Sequence, residues 1–288
     1  MHLRILHRTT FSYAGKAHDS FNETRLRPID DDTQRCQDFK LRTTPGTTQR
    51  EYGDFYGNTV HYFEVIENHS KLVIESVSSV ETKPMEGRPM VPRVSIDDLK
   101  RAEERDMLAE FYTTSHYVPL EVELWREAQD ALAEGRSDVW GDVRRMGQHI
   151  FRRFAYRPKT TGINTRATDV LKLRMGVCQD FAHVHLGLCR SMGIPARYVS
   201  GYFFNNTRRP REIEASHAWI EAWVPGYGWA SYDPTHDRVA DERYVKVAVG
   251  RDYADIRPVA GTYRGAPTRS LKVEVAVREA PAGVALAT

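Results

Sequence analysis

The sequence predicts an α+β chain. A small β-sandwich-like domain comes first. A core follows in which a helix that starts on a cysteine packs on an antiparallel sheet. Three observations carry this. Residues 1–83 alternate apolar and polar side chains with a period of two. Residues 139–154 and 178–192 carry apolar stripes at helical spacing. Residues 196–235 return to strand character around a Pro-Gly turn.

In the first segment Leu3, Ile5 and His7 alternate with Arg4, Leu6 and Arg8, and Phe39 and Leu41 with polar neighbours. Val60, Tyr62 and Glu64 face away from His61, Phe63 and Val65, and Val73, Glu75, Val77 and Ser79 continue the pattern. Gly53, Gly57-Asn58 and Asn68-His69 break the runs as turns. Lys83 to Pro92 holds three prolines and a glycine and reads as a linker. Helix formers dominate 97–112 and 120–134, and Val139, Val143, Met146, Ile150 and Phe154 lie on one helical face.

From Cys178, apolar residues recur at Phe181, Val184, Leu188 and Met192, with a second stripe at Ala182, His185 and Cys189. Such a helix is well buried. Gly193 fits its C′ position and Pro195 forbids continuation. Ala196 to Phe204 reads as a strand. Ser216 to Val224 and Trp229 to Asp233 form a hairpin around Pro225-Gly226-Tyr227-Gly228. A turn centred on residue 225 sets His217 directly opposite Asp233, with Cβ atoms about 5 Å apart. The tail from Ala280 to Thr288 is small, apolar and expected to fray.

Composition narrows the function. The chain has 288 residues, 41% of them hydrophobic, so it can bury a sizeable core. Its 41 basic and 39 acidic residues nearly cancel, which gives no electrostatic case for nucleic acid or an anionic membrane. Three cysteines make no disulfide framework. The N-terminus lacks an apolar signal segment, and no run of apolar residues is long enough to span a bilayer. A reducing cytoplasm is therefore the expected location, and it would keep a thiol reduced.

Cys178, His217 and Asp233 supply a thiol, an imidazole and a carboxylate in that order. Only a thiolate attacks, and a free cysteine has a pKa of about 8.5. A helix N-terminus favours the anion and offers N–H groups to an oxyanion. Gly176 lets backbone approach a substrate. An aspartate on one ring nitrogen of His217 would leave the other for the thiol. Each residue also has a bland role: a small buried cysteine, a histidine at a strand end, an Asp-Pro turn. Their conjunction favours catalysis. Cys189, ringed by Leu186, Leu188 and Met192, is expected to be structural.

Gly176-Val177-Cys178, Gly193-Ile194-Pro195-Ala196-Arg197, Ser216-His217-Ala218-Trp219 and Gly228-Trp229 with Asp233-Pro234-Thr235 resemble the core motifs of the transglutaminase-like superfamily. The β-rich start resembles the N-terminal region of its bacterial members, and Gly250-Arg251-Asp252-Tyr253 with Pro258 to Gly261 resembles their end. The resemblance implies a papain-like core with Cys178 as nucleophile, His217 as base and then acid, and Asp233 orienting His217. It implies a peptide or protein amide substrate, glutamine- or glutamate-containing ones included, and hydrolysis or acyl transfer through a thioester. Tyr156 is a candidate counterpart of an upstream aromatic that helps hold the oxyanion. No acidic cluster has calcium-loop spacing, so no metal or cofactor is expected.

The expected division is 1–83 as the β-rich domain, 84–96 as linker, 97–265 as helical segment plus core, and 266–288 as C-terminal strand and tail. The polar, basic run Asn205 to Glu214, with Arg208, Arg209 and Arg211, is expected to border the substrate cleft and to favour acidic or polar substrates. Two alternatives stay open. One is a binding module that keeps the fold without chemistry. The other is a zinc site of Cys178, His183, His185 and Cys189, whose spacing matches no common structural zinc motif.

Overall fold

The computed structural model describes residues 1–162, 164–205 and 216–281. The chain opens with five antiparallel strands: β1 (His2–Thr24), β2 (Gln34–Thr44), β3 (Gln49–Gly53), β4 (Thr59–Val65) and β5 (His69–Thr82). The predicted alternation is present, with Leu3, Ile5 and His7 buried and Arg4 and Arg8 exposed. β1 serves two halves of one curled sheet, pairing with β5 along residues 2–12 and with β4 along 20–24. Its register against β5 shifts between Ser12 and Ala17. Gly15 there takes a φ of +118°, which glycine tolerates and other residues do not. The inner faces close over Phe11, Tyr13, Phe63, Val65, Leu72 and Ile74, a sandwich-like core.

After the irregular linker come α1 (Ile96–Arg101), α2 (Val122–Ala131), α3 (Val139–Arg153), β6 (Ala155–Tyr156), α4 (Ala167–Leu173), β7 (Met175–Gly176) and α5 (Cys178–Ser191). The helix expected over 97–112 is not continuous: α1 stops at Arg101 and two short 3₁₀ turns follow. The cause is sparse anchoring. Between Leu99 and Leu108, both buried, the chain is almost entirely charged. Helices this short are held by packing, and here one apolar contact per two turns is too little.

α5 is the centre of the core. Twelve of its fourteen residues are buried, so nearly all of its circumference is packed. Phe181, Val184 and Leu188 share one apolar cluster with Met146, Ile150, Ile220 and Ala222. Each large apolar side chain among them contributes about 1.5–3 kcal/mol on burial. The helix ends as the sequence predicts. Gly193 N–H donates to the Arg190 carbonyl at 3.0 Å and Ile194 N–H to that of Cys189 at 2.9 Å. These are the two bonds of a Schellman cap, and Gly193 supplies the positive φ of +75° that it needs.

Five further strands make the core sheet: β8 (Ala196–Phe203), β9 (Ser216–Val224), β10 (Gly228–Asp233), β11 (Arg238–Val239) and β12 (Tyr244–Gly250), in the order β11-β10-β9-β8-β12. β12 is an edge strand, and side-chain amides of the first domain cover its free backbone groups. Gln34 exchanges two 2.7 Å bonds with Lys246, and Asn58 two 2.8 Å bonds with Val249. A sheet edge left bare would invite pairing with another chain. Here it docks the two units instead.

The last strands, β13 (Val259–Gly265) and β14 (Arg269–Glu279), return to the first sheet, where both pair antiparallel with β1. The first domain is therefore completed by the end of the chain. Residues 259–265, grouped by sequence with the core, belong to this sheet. The predicted fraying of the tail falls mostly on 282–288, outside the described residues. Among the described residues, no helix is long and apolar enough to cross a membrane.

Candidate active site

Cys178 is the first residue of α5, and two short strands fix its approach. β6 and β7 pair side by side, with Tyr156 opposite Gly176. Asp180, one turn into the helix, accepts Val177 N–H at 2.8 Å and the Thr161 hydroxyl at 2.6 Å. Burial pushes the Asp180 carboxyl up against these two bonds. A Cβ on Gly176 would come within 2.6 Å of the Asp180 carboxylate, so only glycine fits. The first backbone N–H groups of a helix have no partner within it, which leaves this end suited to an anion.

His217 lies on β9 and Asp233 at the end of β10. The hairpin pairs Gly228 with Val224 and Trp229 with Trp223, so its turn centres on Gly226. That is one residue beyond the predicted centre. Gly226 takes a φ of +75° and Gly228 one of +91°, which fixes a three-residue loop. His217 and Asp233 are thus diagonal rather than directly opposed. The carboxylate still spans the gap: His217 Nε2 donates to Asp233 Oδ2 at 2.7 Å, and both side chains are buried. With Nε2 so engaged, Nδ1 is the nitrogen left for a thiol.

Asp233 is held by more than the expected histidine. His236 Nδ1 and the Tyr244 hydroxyl each donate to Oδ2 at 2.7 Å, and Thr235 N–H donates to Oδ1 at 2.8 Å. Burial works to raise this carboxyl. The charge and hydrogen bond of His217, with those of His236, outweigh it and hold Asp233 well below the usual carboxylate range. It is a fixed anion. Tyr244 keeps its proton, since burial and the Asp233 charge push its phenol far up. His236 lies three residues after Asp233 in Asp-Pro-Thr-His, and only the fold of that turn reveals its contact. Tyr244 comes from the far edge strand and leaves no local signal.

Cys178 and His217 line one cleft of about 450 Å³. Its near wall is the core, with Tyr198 and Tyr117. Its far wall is the first domain, with His7 and Phe11 of β1 and residues of β13 and β14. Tyr198 is buried, and its phenol is pushed well up by burial and by Cys178 beside it, so it stands as a neutral hydroxyl. Tyr117, Tyr198 and Tyr253 are the cleft tyrosines among the described residues. Tyr156 packs its ring on Phe181 instead.

The four residues of the zinc alternative diverge. His183 stacks on Tyr117 and accepts Tyr253 N–H at 3.3 Å, whereas His185 turns to α3 and donates to the Val143 carbonyl at 2.9 Å. Burial drives both rings down, His183 to about 3 and His185 to about 4. Cys189 is fully buried and its thiol is pushed well up. Among the described residues, the metal-spaced cluster is His217, Asp233 and His236. There the two ring nitrogens sit at hydrogen-bond distance from one carboxylate oxygen, an arrangement complete without an ion. The basic stretch expected at the cleft rim, Asn205 to Glu214, lies from residue 206 onward outside the described residues.

Comparison with known proteins gives the family. Residues 126–234 match the transglutaminase-like superfamily, and residues 3–81 match the bacterial transglutaminase-like N-terminal region. The chain is 36% identical to an uncharacterised protein of Mycobacterium leprae over 96% of its own length and 98% of that protein. It is 34% identical to a protein-glutamine gamma-glutamyltransferase of Pseudomonas aeruginosa, over 40% of this chain and 19% of that one. A solved structure from Cytophaga hutchinsonii, provisionally named a cysteine protease, superposes with a TM-score of 0.75 at 25% identity, covering 98% of this chain and 92% of that one.

Proposed function

We propose that this chain, which belongs to the transglutaminase-like superfamily, is a thiol-dependent enzyme that opens amide bonds through a thioester on Cys178. The observation that supports this most is the buried His217–Asp233 pair, 2.7 Å apart, on the cleft that Cys178 also lines.

In the proposed cycle the Cys178 thiolate attacks the amide carbon and a C–S bond forms. N–H groups at the α5 start hold the oxyanion. The His217 imidazolium protonates the leaving nitrogen, the C–N bond breaks and an amine departs. His217, now neutral, takes a proton from the acceptor as it attacks the thioester. Water as acceptor makes the enzyme a cysteine peptidase or amidase. A primary amine makes it a transglutaminase. Asp233 keeps Nδ1 of His217 toward the thiol throughout. The substrate is a peptide or protein amide, with glutamine side chains included because a similar protein bears the name of a glutamine transferase.

The test is a panel of glutamine-containing and backbone-amide peptides, with and without a fluorescent primary amine, read by mass spectrometry. Product that is lost in Cys178→Ala supports the proposal, and amine incorporation against hydrolysis names the acceptor. A panel unchanged by wild-type protein, with Cys178 unmodified throughout, would overturn it.

A further inference from the structure

The cleft wall opposite Cys178 has a charge pattern that the thioester chemistry does not use. Arg257 and Arg269 line it, and among the described residues no aspartate or glutamate does. Four arginines elsewhere in the core are neutralised by carboxylates: Arg197 with Glu221, Arg174 with Glu127, Arg243 with Asp241 and Arg251 with Asp255. Among the described residues, neither Arg257 nor Arg269 makes such a pair. His7 on the same wall adds no charge, since burial lowers it to about 4 and its nitrogens bond to Tyr202 and Thr9.

The guanidinium of Arg269 is also pre-positioned. It lies over the Phe11 ring at 4.7 Å and the Tyr263 ring at 5.4 Å. Stacking and a hydrogen bond with the Tyr13 hydroxyl orient it, and its remaining N–H groups are left for an acceptor. Arg257 stands beside Tyr253 on the strand connection that enters β13. A cation paired within the protein would be spent. Two unpaired ones facing a concave site attract an anion and raise its local concentration.

We infer that Arg257 and Arg269 form a carboxylate-binding subsite, so that the first domain and the end of the chain select acidic peptides for the Cys178 site. The inference rests on the proposed role of Cys178. The β domain then supplies the specificity wall of the cleft while the core supplies the chemistry. The carboxylate comes from an acidic side chain near the reacting amide or from a free C-terminus.

Two experiments test this on the full chain. In the first, Cys178 is alkylated with iodoacetate and with iodoacetamide, reagents of similar size that differ in charge, and labelling is followed by mass spectrometry. The iodoacetate-to-iodoacetamide rate ratio should fall about threefold or more in Arg257→Gln/Arg269→Gln, because the neutral reagent does not sense the pair. Brisk labelling with an unchanged ratio would overturn the subsite and leave the enzyme proposal standing. No labelling of Cys178 by either reagent below pH 8 would instead remove the enzyme proposal.

In the second, fluorescent peptides that differ only in Glu, Gln or Lys, each with a free or amidated C-terminus, are titrated onto Cys178→Ala protein. This readout needs no turnover. A preference of about tenfold for the acidic peptide, lost in the arginine variants, supports a side-chain carboxylate. A preference that follows the free C-terminus supports a terminal one. Equal binding of all six peptides, or a preference that survives both arginine substitutions, would overturn the inference.

Discussion

The two ends of α5 carry a cysteine each, and their surroundings differ. Cys178 opens the helix, borders a cleft and shares it with a histidine bound to a buried carboxylate. Cys189 sits eleven residues on, fully buried, with its thiol pushed up by the loss of water. The histidines divide the same way. His217 faces Asp233, whereas His183 and His185 in the middle of the helix are driven down by burial. In the proposed mechanism the same residue types are reactive at one end and inert at the other. A place on the cleft wall and a fixed counter-charge make the difference.

That comparison can be broken most severely at the thiols. Cys178→Ala should abolish turnover, by roughly 10⁴-fold or more, with the fold intact. Cys189→Ala should keep turnover and lose about 1–2 kcal/mol of stability through the cavity it leaves. Paired activity assays and urea titrations check both. Equal activity loss in two folded variants would end the distinction.

The carboxylate comes next. Asp233→Asn should lower kcat by about 10³–10⁴-fold, since His217 would be held in the wrong tautomer. Tyr244→Phe removes one of the donors to the same oxygen and should cost about tenfold, a bond to a charged acceptor being worth ~1.5–3 kcal/mol. Full activity in Tyr244→Phe would mean that the bonds from His217, His236 and Thr235 hold Asp233 without it.

The buried histidines predict an acid sensitivity. His183, His185 and His7 have ordinary pKa values of 6.5 unfolded and about 3, 4 and 4 folded. The unfolded chain therefore binds more protons between these limits. Their stabilisation is complete above pH 6.5 and is lost as pH falls toward 4, each group adding a slope of ~1.4 kcal/mol per pH unit. Urea midpoints at pH 7, 6 and 5 should fall in step, and His185→Gln should flatten the fall. A midpoint constant from pH 7 to 5 would contradict this.

What was legible in the sequence was local. The stripe from Phe181 to Met192, the Gly193 cap and the Pro-Gly turn each write their geometry within a few residues, so α5 and the hairpin follow directly. The order of Cys178, His217 and Asp233 carried the proposed chemistry. What escaped was set by long-range partners. The return of β13 and β14 to β1 has no neighbouring signal, and it builds the far wall of the cleft. The turn centre at Gly226 depends on which glycines take positive φ, and a shift of one residue changed an opposed pair into a diagonal one. Tyr244 reaches Asp233 from another strand. The helix expected over 97–112 failed because propensity without apolar contacts does not hold a helix.

The most direct test of the central claim is iodoacetamide alkylation across pH, with Cys178, Cys189 and Cys36 followed separately by mass spectrometry. Fast labelling of Cys178 alone at pH 6, lost in His217→Ala, is the expected result and the signature of a thiolate formed with His217. Labelling of Cys178 only above about pH 8, as for an ordinary thiol, and indifferent to His217→Ala, would contradict it.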